Sequence, residues 1–194
     1  MGRRAGFQFG AALPRNATAQ VGTGLGQALA SNNRASLAKP TMEVAKGAAP
    51  VVIDGITFEF IDAASSEAPA EFMFYLPDFK ALCSSEVATG TFHNVLTQRG
   101  AKARDTLNWS KAIDTALRSY GDKSDVVFGS HNWPTWGADN VKTFLTHHRD
   151  TYRFIHDQTM RLANSGETAT EIAEQVGEPT FAKTDFSTRG YYGT

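Results

Sequence analysis

Three residues pair a metal-ligating side chain with a position where sites are commonly built. Glu67 lies in the loop Ser65-Ser66-Glu67-Ala68-Pro69, Glu86 just beyond the apolar run Phe79 to Ser84, and His131 just beyond Val126-Val127-Phe128. Carboxylate oxygen and imidazole nitrogen suit zinc, manganese or iron, and a carboxylate can bridge two cations. A glutamate on a loop is more often just solvated, so these residue types permit a metal site without demanding one. Asn94, Arg99, Lys102 and Arg104 form a polar, cationic run. An arginine fork matches a tetrahedral oxyanion such as sulfate or phosphate; the plainer alternative is a basic stretch flanking a helix. His93, His147, His148 and His156 show no ligand-like arrangement. His147 and His148 are adjacent and point differently, and His148 falls on an apolar helix stripe. Trp133 and Trp136, on either side of Pro134, line a pocket beside His131 or simply pack. Ser84 and Ser85 lack the neighbours of a nucleophile elbow.

The elements that must position these residues are legible. Asp54-Gly55 between Val51-Val52-Ile53 and the run Ile56 to Ile61 is a strong hairpin signal. Phe72 to Leu76 and Phe79 to Ser84 are short apolar runs of the kind that form buried strands, each ending near a glutamate. From Arg104 to Tyr120, Trp109, Ala112, Ile113, Ala116, Leu117 and Tyr120 recur at three and four, with Gly121 at the stop, which predicts an amphipathic helix. Asp125 to Gly129 reads as a strand delivering His131. From Gly137 through Ala163 a long helix carries Val141, Leu145, His148, Tyr152, Ile155, Thr159 and Leu162 at heptad-like spacing, suited to packing on a partner helix. Thr168 with Glu171 predicts a capping box opening a short helix that ends before Pro179. Residues 1 to about 50, rich in Gly, Ala, Asn and Thr, read as loosely held loop.

Composition narrows the class. The 194 residues are 41% hydrophobic with 19 basic and 20 acidic side chains, enough to build a core and with no electrostatic footprint for nucleic acid. The single cysteine, Cys83, excludes an internal disulfide and a thiolate cage. No apolar stretch approaches membrane-spanning length. Arg3-Arg4 is followed by Gly6, Gln8, Gly10 and Pro14 rather than the hydrophobic segment of a twin-arginine signal, and nothing assigns a compartment.

Read in order, several stretches resemble the alkyl sulfatases of the metallo-β-lactamase superfamily. They are Arg3-Arg4-Ala5, Gln20 to Gly26, Val52 to Gly55, Glu67 to Glu71, Ala81-Leu82-Cys83 to Glu86, His93-Asn94, Arg99 to Lys102, Ser130 to Gly137, His156 to Thr159 and Arg189 to Gly193. The resemblance implies an α/β fold: a partial metallo-β-lactamase αββα sandwich over residues 1–136, followed from 137 to 194 by the start of a helical dimerisation domain. It implies a two-zinc hydrolase of alkyl sulfate esters such as dodecyl sulfate, with Glu67 on the first zinc, Glu86 bridging, His131 on the second, and Asn94 and Arg99 holding the sulfate group. It also implies a homodimer formed through the helical region. The family's H-x-H-x-D-H motif, which supplies four further ligands, does not occur in these residues. With that motif absent, the other expectation is a non-catalytic homologue acting as a dimerisation or interaction module. A metallo-β-lactamase-fold hydrolase for a different ester is a third.

Overall fold

A computed structural model describes residues 38–97 and 100–189. Arg99, the Gln20 to Gly26 loop and the Gly190 to Gly193 part of the last motif lie outside these residues. Residues 38–50 contain turns but no helix or strand.

The hairpin forms as its sequence requires. β1 (Val51–Ile53) and β2 (Ile56–Asp62) pair antiparallel, with Val51 opposite Phe58 and Ile53 opposite Ile56. Asp54 and Gly55 both take positive φ, 51° and 80°, the twist that a two-residue turn needs to match two strands. β2 pairs antiparallel with β3 (Phe72–Leu76), and β3 with β4 (Ala81–Ser85). β4 begins two residues later than the apolar run predicts. Pro77, which fixes its own φ and offers no N–H, opens a 3-10 turn over Pro77–Phe79 that leaves Phe79 exposed.

α1 (Thr106–Tyr120) then crosses over, so that β5 (Val126–Gly129) lies parallel to β4, with β6 (Thr135–Trp136) antiparallel at the edge. The six strands form one sheet in chain order. α1 starts at Thr106 rather than Arg104 because Asp105 is its cap, accepting a bond from Asn108 N at 3.0 Å. α2 (Ala138–Asn164) follows, and α3 (Ala169–Gln175) opens with the expected capping box of Thr168 and Glu171.

One face of the sheet is covered. Ile61, Met73, Tyr75, Leu82 and Val127 point at Trp109, Ile113 and Ala116 of α1 and at Val141, Leu145 and Tyr152 of α2, forming a single core. The partner for the first half of the α2 stripe is therefore α1 of the same chain. Strand alternation sends Phe58, Phe60, Phe72, Phe74 and Phe128 to the opposite face, where neighbouring rings sit 5.3 to 6.4 Å apart. Phe72 is 40% exposed there, and among the described residues no helix covers these rings. No helix among the described residues is long and apolar enough to cross a membrane.

Candidate metal centre

The candidate residues gather at the ends of β2, β4 and β5. Glu67 sits on the loop joining β2 to β3, a tight structure closed by Ser65 N donating to Ala68 O at 2.9 Å and the Ser66 hydroxyl donating to Ala63 O at 2.6 Å. Asn108 of α1 anchors that loop through Ala64 O at 2.7 Å. Glu86 leaves β4 at an irregularity in the β4–β5 ladder, where Ser85 takes a φ of 51°. Its turn is held by Val87 N donating to Ser84 O at 2.9 Å and by the Ser84 hydroxyl donating to Ala88 O at 2.6 Å. His131 follows β5, whose end is tied back by Ser130 N donating to Ser85 O at 3.1 Å.

Parallel pairing of β4 and β5 thus brings Glu86 and His131 together, and His131 Nε2 shares a hydrogen bond with Glu86 Oε1. The other carboxylate oxygen, Oε2, lies 3.7 Å from His93 Nε2. Ligand atoms of Glu67, Glu86 and His93 all fall within 4.8 Å of one another. His93, set aside on spacing alone, is therefore a member of the group. Its 6% exposure reflects burial against Trp109, ring centroids 5.9 Å apart. Nothing in its neighbours along the chain marks it; only the adjacency to Asn94, already a candidate, hinted at it.

The imidazole of His93, 3.7 Å away, and then that of His131, hydrogen-bonded to it, outweigh burial and hold the Glu86 carboxyl at about 2, so it is a full anion. Glu71 stands nearby, and burial together with the negative charge of Glu67 and Glu86 pushes its carboxyl up. Excess negative charge at one spot is what a cation site requires, and the mixed carboxylate and imidazole donors fit zinc.

Asn94 is fully buried in the same loop as His93. Its side-chain nitrogen and the hydroxyl of Thr97 are buried with no partner among the described residues. An orphaned amide donor beside a candidate metal group is suited to an anion. Arg104, grouped with exposed Lys102 on sequence, instead turns inward: it pairs with the Glu67 carboxylate and donates to Glu67 O at 2.9 Å and Asn94 O at 2.7 Å.

No protein-family model matches the chain. Along all 194 residues it is 46% identical to a linear primary-alkylsulfatase from Pseudomonas sp. and 41% identical to the alkyl/aryl-sulfatase BDS1 of Saccharomyces cerevisiae. It spans 29% and 30% of the length of those relatives. The fold matches a solved stereoselective inverting sec-alkylsulfatase from Pseudomonas sp. with a TM-score of 0.93 at 40% identity, over 99% of this chain and 30% of that one. Sequence and fold agree in what they resemble: these 194 residues are similar along their length to about three-tenths of an alkylsulfatase.

Proposed function

We propose that these residues carry one part of a two-zinc site, and that the protein containing them hydrolyses alkyl sulfate esters to alcohol and sulfate. The observation that supports this most is the convergence of Glu67, Glu86 and His93 within 4.8 Å, with His131 bonded to Glu86 and the orphaned Asn94 amide in the His93 loop. In this reading Glu67 serves the first zinc, Glu86 bridges, and His131 serves the second. Zinc, when bound, would supply an activated water and polarise the ester.

The chain's own residues do the rest. Asn94 offers its free N–H groups to a sulfate oxygen, and Arg99 adds a charged fork. Both give bonds that strengthen as negative charge gathers on the departing sulfate. His93, with Nε2 3.7 Å from Glu86 Oε2, helps keep that carboxylate ionised. Residues 137–194 serve as the start of a dimerisation domain; since α2 spends Val141, Leu145 and Tyr152 on α1, pairing with a second copy falls to the chain beyond them.

Three of the family's ligands are present here, and the H-x-H-x-D-H set is not. Activity therefore belongs to a protein that supplies the remainder. A chain lacking them serves instead as an interaction module. The test is release of inorganic sulfate from dodecyl sulfate by the zinc-loaded protein, with Arg99→Ala alongside. The variant should raise KM for the sulfate ester about 10-fold or more, as loss of a charge-assisted hydrogen bond does. Equal loss on a neutral ester, or no sulfate release by a protein holding two zinc ions, overturns the sulfatase reading.

A further inference from the structure

Arg104 makes more directional contacts to the candidate site than any ligand in it. Its Nε donates to Glu67 O at 2.9 Å and its Nη2 to the Glu67 carboxylate. Its Nη1 donates to Asn94 O at 2.7 Å and to Asn94 Oδ1, and stands 3.2 Å from His93 Nδ1. The side chain is 11% exposed and lies 5.9 Å from the Trp109 ring centre, and the backbone N of Arg104 donates to Val95 O at 2.9 Å.

We infer that Arg104 is the positioning residue of the site, setting at once the rotamer of Glu67 and the amide orientation of Asn94. A guanidinium only donates. It must therefore face Asn94 Oδ1, which turns the Asn94 NH2 the other way and leaves it buried, with no partner among the described residues, where it suits an anion. The two Nη1 hydrogens go to Asn94 O and Asn94 Oδ1, so the 3.2 Å approach to His93 Nδ1 packs the guanidinium against the imidazole and fixes its place in the loop. Lysine cannot replace this fork, since it offers one point charge in place of a planar array.

The inference rests on the proposed sulfate site only through Asn94, and the test separates the two. Arg104→Lys and Arg104→Gln are made in the active, full-length protein, with zinc affinity measured by chelator competition and KM and kcat measured on dodecyl sulfate. Zinc affinity should fall ~10–100-fold in both, as loss of an orienting partner does, and KM should rise more than kcat falls. Arg104→Lys added to Asn94→Ala should raise KM no further than Asn94→Ala alone, because the arginine acts through the asparagine. Wild-type zinc affinity and KM in a folded Arg104→Lys protein overturn the inference. Should Arg104→Gln not fold, the lysine variant and the double variant still decide. A wild-type protein inactive on dodecyl sulfate, whose Arg104 variants nonetheless lose zinc, sinks the sulfatase reading and leaves the positioning role standing.

Discussion

Trp109 of α1 lies flat against Tyr152 of α2, ring centroids 4.2 Å apart and planes 17° from parallel. The pair also supports the site: Trp109 Nε1 donates to Val87 O at 2.7 Å, one residue past Glu86, and the Tyr152 hydroxyl donates to His93 O at 3.3 Å. Trp109→Ala should cost about 3–5 kcal/mol of unfolding free energy, the range for deleting a large buried aromatic. Trp109→Phe keeps a ring on Tyr152 and loses the bond to Val87, so it should cost clearly less. Denaturant melts of the two variants check the order; an alanine variant as stable as wild type would mean that the stack contributes nothing.

Glu86 is the carboxylate that both imidazoles address, so its charge is the feature to remove. Glu86→Gln should lower zinc affinity by more than the ~10–100-fold expected of an orienting neighbour, and His131→Ala should do the same. Far-ultraviolet circular dichroism should be unchanged in both, since the β4 and β5 ends are held by bonds that use neither side chain: Val87 N to Ser84 O, the Ser84 hydroxyl to Ala88 O, and Ser130 N to Ser85 O. Zinc titration with a competing chelator is the measurement, and unaltered affinity in Glu86→Gln counts against the site.

The segment after α3 is held by His147 of α2, which bonds to Asp185, and it ends with Arg189 O accepting from Phe92 N at 3.1 Å beside His93. Burial opposes the Asp185 charge, but hydrogen bonds from His147 and Ser187 prevail and lower its carboxyl from the ordinary 3.8. A carboxyl lowered on folding contributes stability that is present above 3.8 and lost as pH falls through the folded value. Asp185→Asn should therefore cost about 1.5–3 kcal/mol near neutrality and flatten the acid limb of stability against pH. A variant with an unchanged acid limb would show that the pair carries no such linkage.

The aromatic sheet face predicts how the 194-residue polypeptide behaves when expressed alone. Phe72 at 40% exposure leaves apolar surface in water on this face, which favours self-association. Sedimentation should show mass rising with protein concentration, and Phe72→Glu should shift the distribution toward monomer. A monodisperse monomer at all concentrations would mean that the face is adequately hydrated.

What the sequence determined by itself is local. Asp54-Gly55 specified the hairpin because its backbone freedom is confined to two residues, and Thr168 with Glu171 specified a helix start because a capping box closes within one turn. The apolar periods of α1 and α2 were equally plain, and Glu86 and His131 stood out because strand ends are visible in a single chain. Tertiary structure decided the rest. The bond between Glu86 and His131 spans 45 residues, and the Arg104 pairing with Glu67 spans 37. The first exists because α1 carries the chain across to lay β5 parallel to β4, and the second because the start of α1 docks on the β2–β3 loop, where Asn108 bonds Ala64 O. The partner of the α2 stripe, the membership of His93 and the inward turn of Arg104 likewise depend on segments far apart in the chain packing together. A buried cation needs acceptors from separate strands, and those meet only after the layers have packed.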